Sequence, residues 1–149
     1  MELTFNQLID QPELGLISKK KTFSNEIIRS RMAIGLIFSN LTFLNIDFID
    51  VDFSHAEFIN CKFTKCNFTS TLFTSAEIDG CHFETCKILE SVLRKTNILN
   101  TTLIKCQFLD SRLEGSLFTR CKFIQPKFKN VGELDCLSVH ESKLWTSNK

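Results

Sequence analysis

The sequence predicts an all-β fold, a chain wound into a four-cornered tube of parallel strands. Two observations predict it. Every fifth residue from Phe38 to Phe128 is apolar, nineteen positions without a break. A second register, two residues ahead of the first, carries small side chains over most of its length. A period of five fits neither the 3.6 of a helix nor the 2 of a flat strand. A fixed period held over so long a stretch marks a repeat architecture.

Thirteen of the nineteen apolar centres are Phe; the others are Ile78, Ile88, Leu93, Ile98, Leu103 and Leu113. The small register holds Cys61, Cys66, Thr71, Ala76, Cys81, Cys86, Ser91, Thr96, Thr101, Cys106, Ser111, Ser116 and Cys121. Earlier the same slot is larger, with Leu36, Leu41, Ile46, Val51 and Ala56. The remaining positions are mostly polar or charged. One bulky and one small inward residue in five suit a side of a square coil, the bulky residue at mid-side and the small one near the corner. Four sides make a coil of about 20 residues, stacked at the strand spacing of about 4.8 Å. Residues 36–130 then form a little under five coils, a rod roughly 23 Å long.

The segments Cys61-Lys62-Phe63, Cys66-Asn67-Phe68, Ala76-Glu77-Ile78, Cys81-His82-Phe83 and Cys121-Lys122-Phe123 resemble the motif of the pentapeptide repeat family: a small residue, a polar residue, Leu or Phe, then two variable residues. The resemblance covers residues 36–130 with no gap. It implies a right-handed quadrilateral parallel β-helix with short N- and C-terminal caps. The Cys-x-Phe repeats are distantly similar to the gyrase-protecting, quinolone-resistance branch of that family.

The chain is organised as an N-terminal cap and irregular first coil (1–35), the repeat (36–130) and a C-terminal cap or tail (131–149). Leu3, Phe5, Leu8 and Ile9 suit a short helix within Met1–Gln11. Ser24–Ile28 reads either as a second helical start or as an irregular first coil. Leu134, Leu137, Val139, Leu144 and Trp145 are available to cover the last aromatic layer. A β-helix needs both ends covered, because its apolar column otherwise meets water. The C-terminal end is also a candidate homodimer contact, by resemblance to the gyrase-protecting members.

No apolar run is long enough to span a bilayer, and residues 1–20 have no signal-peptide core. No membrane association is expected. A net charge of +1 argues against a strongly basic nucleic-acid binder, so no direct nucleic-acid contact is expected. All seven cysteines, Cys136 included, fall on the small register. They are expected to be buried free thiols acting as small hydrophobes, which suits a reducing cytoplasm. His55 and His82 point outward in this register. Cys81 and His82 therefore face opposite ways and cannot share a metal or form a nucleophile pair. No phosphate loop, metalloprotease or hydrolase motif is present. The expectation is a protein that is not an enzyme and has no catalytic residue, cofactor or metal.

The outward positions supply the candidate partner surface. Leu89 and Leu109 stack one coil apart on one side, Ile104 and Ile124 on the neighbouring side, as a strip in the C-terminal half. The charged candidates are an acidic group, Asp47, Asp50, Asp52 and Glu57, and a basic group, Arg120, Lys122, Lys127 and Lys129. They suggest a rod with charge separated along its length, guiding a partner by complementarity. The favoured function is a rigid scaffold that binds another protein. The alternative, implied by the resemblance, is a DNA-mimicking modulator of gyrase. Duplex DNA carries about one negative charge per 1.7 Å, so such a rod would need on the order of 13 acids, largely unopposed. Residues 36–130 hold 10 acids and 11 bases.

Overall fold

A computed structural model describes residues 3–11, 16–131, 138–140 and 143–145. Its backbone repeats every five residues as strictly as the sequence does. Every fifth residue from Asn25 to Asn130 has positive φ, nineteen non-glycine residues and Gly35, Gly80 and Gly115. Each turns a corner, and between corners the chain is extended. The left-handed conformation costs an L-residue about 1–2 kcal/mol. Asn and Asp tolerate it best, because their side chains bond to nearby polar groups, and they fill Asn25, Asn40, Asn45, Asp50, Asn60, Asn100, Asp110 and Asn130. What holds the others there is the coil above. The Lys65 amide donates to the Glu84 carbonyl (2.9 Å), Ser70 to Leu89 (3.0 Å) and Thr85 to Ile104 (2.8 Å).

Four sides close each coil. The first face stacks Glu57–Ile59, Glu77–Asp79, Asn97–Leu99 and Leu117–Thr119; the second stacks Lys62–Thr64, His82–Glu84, Thr102–Ile104 and Lys122–Ile124. One longer strand, Ile37–Leu44, bends round the corner between them and pairs with both faces. The third face is a six-stranded sheet from Ile27–Arg29 through Asp47–Ile49, Asn67–Thr69, Lys87–Leu89 and Gln107–Leu109 to Lys127–Lys129. The fourth is narrower, a ladder of single bridges Met32, Asp52, Leu72, Val92, Arg112. It ends each time in a hydrogen-bonded turn, such as Ala76 N–H to Phe73 O at 3.0 Å. All these pairings are parallel, and within residues 21–131 partners are 20 residues apart.

The centres point inward and stack as rings. Phe43, Phe63 and Phe83 stack with their planes nearly parallel, centroids 4.7 and 4.6 Å apart, and Phe48 stacks on Phe68 at 4.9 Å. Adjacent faces meet edge-on, as Phe53 and Phe58 do at 70°, so offset stacking and T-shaped contacts fill the same tube. Further along, the layer Ile88, Leu93, Ile98 and Leu103 has no ring. An apolar cavity of roughly 20 Å³ opens there, lined by Phe68, Phe73, Ile78, Phe83, Phe108 and that layer.

The small slot does more than fill space. Its side chains donate to two carbonyls at the corner: Cys81 Sγ to Phe58 O and Asp79 O, Ser91 Oγ to Phe68 O and Leu89 O. The same atoms accept amides from the coil before. Cys61 N donates to Cys81 Sγ, Thr71 N to Ser91 Oγ and Cys81 N to Thr101 Oγ1. A buried amide without a partner is costly, which is why Cys, Ser and Thr crowd a slot that alanine would also fit.

Strand pairing reaches past 36–130 at both ends. Leu16–Ser24 pairs with Ile37–Leu44, with an irregularity between Ser18 and Lys21, and Ile27–Arg29 pairs with Asp47–Ile49. Ser24–Ile28 thus leads into a coil strand. At the far end Ser138–His140 and Lys143–Trp145 continue the first and second faces, now 21 residues from their partners. The N-terminal helix is a single turn, Phe5–Leu8, with a Thr4–Gln7 capping box. It drives Phe5 onto the axis, within 6.0 Å of the rings of Phe23, Phe38, Phe43 and Phe48. Glu26 holds the helix there, accepting the amides of Phe5 (3.0 Å) and Asn6 (3.3 Å). A carboxylate suits a helix N-terminus, so the one acid in the small register is the anchor of the cap.

Two substitutions test this architecture. Phe68→Ala removes a ring from mid-column and should cost about 3–5 kcal/mol in chemical denaturation, whereas Lys62→Ser, on the exposed side of the same coil, should be near neutral. Thr85 is the one β-branched residue at a left-handed corner. Thr85→Asn should therefore stabilise the protein by about 0.5–1 kcal/mol; no gain would show that the stack, rather than the residue, sets the corner geometry.

Candidate partner surface

Register decides which outward side chains meet. Leu89 is paired with Leu109 on the third face and Ile104 with Ile124 on the second. All four are half-buried, because a side chain in an interior coil is flanked by the equivalent residues above and below. The two ladders do not merge. The corner residue Lys105 and the outward Gln107 separate Ile104 from Leu109, so they run as parallel ridges. The most exposed large apolar residues among those described lie elsewhere: Leu3, Ile27, Met32, Ile34, Leu44 and Leu72. Met32, at 73% exposure, and Ile27, at 55%, sit in the first coil, where only one side has a neighbour. The signal was their position at the end of the stack.

The charged candidates are distributed by the winding. Asp47 and Asp50 fall on the third face and its corner, Asp52 on the fourth and Glu57 on the first. Several are engaged locally. Asp47 accepts from Asn67 Nδ2 (2.9 Å), Asp50 from Ser30 Oγ (3.0 Å) and Asp52 from the Ser54 amide (2.9 Å). Arg120, Lys122, Lys127 and Lys129 likewise spread over three faces, with Arg120 Nε donating to Asn100 Oδ1 at 2.7 Å. Charge is therefore sorted around the rod as well as along it. The first face stacks Glu57 on Glu77, with Asp79 beside them; the second carries Lys62, His82 and Lys122 in one ladder.

The six described cysteines are free and buried. Cys66, Cys86 and Cys106 share one column, Cys61 and Cys81 another. The Cys86 thiol, and then burial, holds Cys66 above the usual thiol range; Cys61 and burial do the same to Cys81. Cys86 is pushed up to about 12, by the Cys106 thiol first and by burial, against the opposing donation from Cys66. Cys61 and Cys106 are shifted down by accepting from Cys81 and Cys86. Neighbouring thiols, backbone groups and burial cause these shifts, with no cationic side chain among the causes, so the columns lack the electropositive setting of a reactive cysteine. His82 Nε2 lies 3.6 Å from Glu84 Oε1. Among the described residues no cluster of three His, Cys, Asp or Glu side chains could hold a metal ion, and no helix is long and apolar enough to cross a membrane. The side chain of Trp145, Cys136 and the remainder of the tail offered as a dimer contact lie outside the described residues.

No curated protein sequence matches the chain. Among solved structures it is similar to full-length QnrB1, a plasmid-mediated fluoroquinolone resistance protein (17% identity over 86% of this chain and 88% of that one, TM-score 0.35). It is also similar to the pentapeptide repeat protein Rfr23 of the cyanobacterium Cyanothece 51142 (8% identity, 85% and 91% covered, TM-score 0.38). A third likeness is HetL of Nostoc sp. strain PCC 7120, a pentapeptide repeat protein involved in heterocyst differentiation regulation (7% identity, 95% and 95% covered, TM-score 0.32). Likeness at these values brings none of those proteins' roles to this chain. The family profile for pentapeptide repeats matches residues 35–69 and 52–88, with eight copies. The same five-residue period continues through Phe128 and winds into the same four-sided coil, and the chain is a pentapeptide repeat protein.

Proposed function

We propose that this protein is a non-catalytic, rigid scaffold that binds another protein through the second and third faces of its C-terminal half. The observation that carries the reading is the pair of half-buried ladders, Leu89 on Leu109 and Ile104 on Ile124, held in register by parallel pairing. Fixed apolar side chains on a stiff sheet bind with little ordering cost. The thiols, the most reactive groups in the chain, are spent on corner carbonyls and amides, and a reducing compartment suits them. Duplex mimicry has less support. Asp47, Asp52 and Glu57 lie on three different faces, and among the described residues no face presents an unopposed acidic row as long as a DNA strand would.

Two outcomes check the reading. Leu109→Asp combined with Ile104→Lys should abolish capture of the partner from native lysate while leaving the thermal melt of the rod in place; undiminished capture removes these faces as the site. In the folded protein the six buried thiols should resist iodoacetamide at neutral pH and react on denaturation. Rapid labelling of Cys86 in the native state would speak against a purely structural role for that column.

A further inference from the structure

The reading above leaves the chemistry of the partner open, and the channel between the two ridges supplies it. We propose that the partner presents an extended acidic segment, with a carboxylate and an aliphatic side chain two residues apart. The inference rests on the ridges being the binding surface.

Three observations lead to it. First, the channel is basic. Lys87 and Lys127 lie on the third face beside the leucines, and Lys105 stands at the corner between Ile104 and Leu109. These lysines are exposed, and none lies within ion-pair distance of a carboxylate among the described residues, where the ion pairs are Arg31–Asp10, His82–Glu84 and Arg112–Glu114. Second, the acids nearby are few. Glu84 lies toward His82, Asp110 accepts from Asn130 Nδ2 at 3.0 Å, and Glu90 turns the far corner of the third face. Third, the spacing matches. Lys87 and Leu89 are the two outward residues of one three-residue strand, about 6.6–6.8 Å apart along it. Lys122 and Ile124 repeat the arrangement on the second face. An extended segment has the same rise, so an acid and an aliphatic residue two apart meet a lysine and a leucine together.

The relative heights argue for a protein segment over an anionic membrane. The leucines and isoleucines are half-buried between their ladder neighbours, whereas Lys87, Lys105 and Lys127 are exposed. A bilayer would meet the charges with the aliphatic groups held short of its acyl region. A chain that projects both kinds of side chain reaches both.

The test is fluorescence anisotropy of the full chain with labelled synthetic peptides repeating Glu-Ser-Leu-Ser, Gln-Ser-Leu-Ser or Lys-Ser-Leu-Ser, beside phosphatidylserine vesicles. The glutamate peptide should bind at least about tenfold tighter than the glutamine peptide, and lose that advantage as salt rises from about 0.05 to 0.5 M. Lys87→Glu with Lys105→Glu should weaken it at least about tenfold, and Leu89→Ser with Leu109→Ser should weaken both peptides. If the two peptides bind equally and only the leucine variant matters, the apolar surface stands and the acidic partner falls. If charge reversal abolishes binding and the leucine variant changes nothing, the ridges fall as a binding surface, and the proposed segment loses its aliphatic half. Vesicle binding without peptide binding, or no binding at all, overturns the proposal.

Discussion

The structure depends on a backbone conformation that its residues would not choose alone. A left-handed corner at every fifth position, most of them occupied by residues other than glycine, is tolerable only when each corner amide has an acceptor in the next coil. The coils supply those acceptors, and they can do so only while partners stay 20 residues apart. Stack and corner therefore hold each other, and neither is stable in isolation. The inward stacking of rings follows from this closure, because four five-residue sides turn every centre toward one axis. The slot side chains then complete the corners by meeting amides and carbonyls that the ladder leaves over.

Much of this was legible in the chain. Phe63 and Phe83 fall inward, at 1% and 7% exposure, because a period of five held through nineteen centres admits no other closed winding. The burial of Cys81 beside the outward His82 followed from the same register. The corners were not legible, since Thr85, Glu90 and Lys105 have no local preference for positive φ; the ladder imposes it. Glu26 was also hidden. It occupies a slot that from Leu36 to Cys121 holds only small or aliphatic residues, and its role appears only when the helix from Phe5 folds back across 20 residues to meet it.

The candidate surface was legible in composition and less so in shape. The pairing of Leu89 with Leu109 and of Ile104 with Ile124 needed only the 20-residue step. That Lys105 would divide the two ladders required knowing that the corner residue points outward between the faces. The acids from Asp47 to Glu57 read as one cluster along the chain, yet eleven residues take the chain around three sides of the rod. In a solenoid, nearness in sequence and nearness on a surface are different things. Residues 20 apart are neighbours, and residues five apart are on adjacent walls.

A stack of identical coils has no natural end, since the last layer offers the next one the same unpaired backbone. At the N-terminal end Phe5 plugs the tube and the Phe5–Leu8 turn covers part of the rim. Among the described residues the last strand of the third face is Lys127–Lys129, whose two outward residues are both lysine. A second rod stacking head to tail there would lay its Ile27–Arg29 strand over this one, with Arg29 against Lys129, and like charges in register repel. The charge at that rim thus disfavours continuing the stack into a second copy, in a fold that otherwise has the geometry of a fibre.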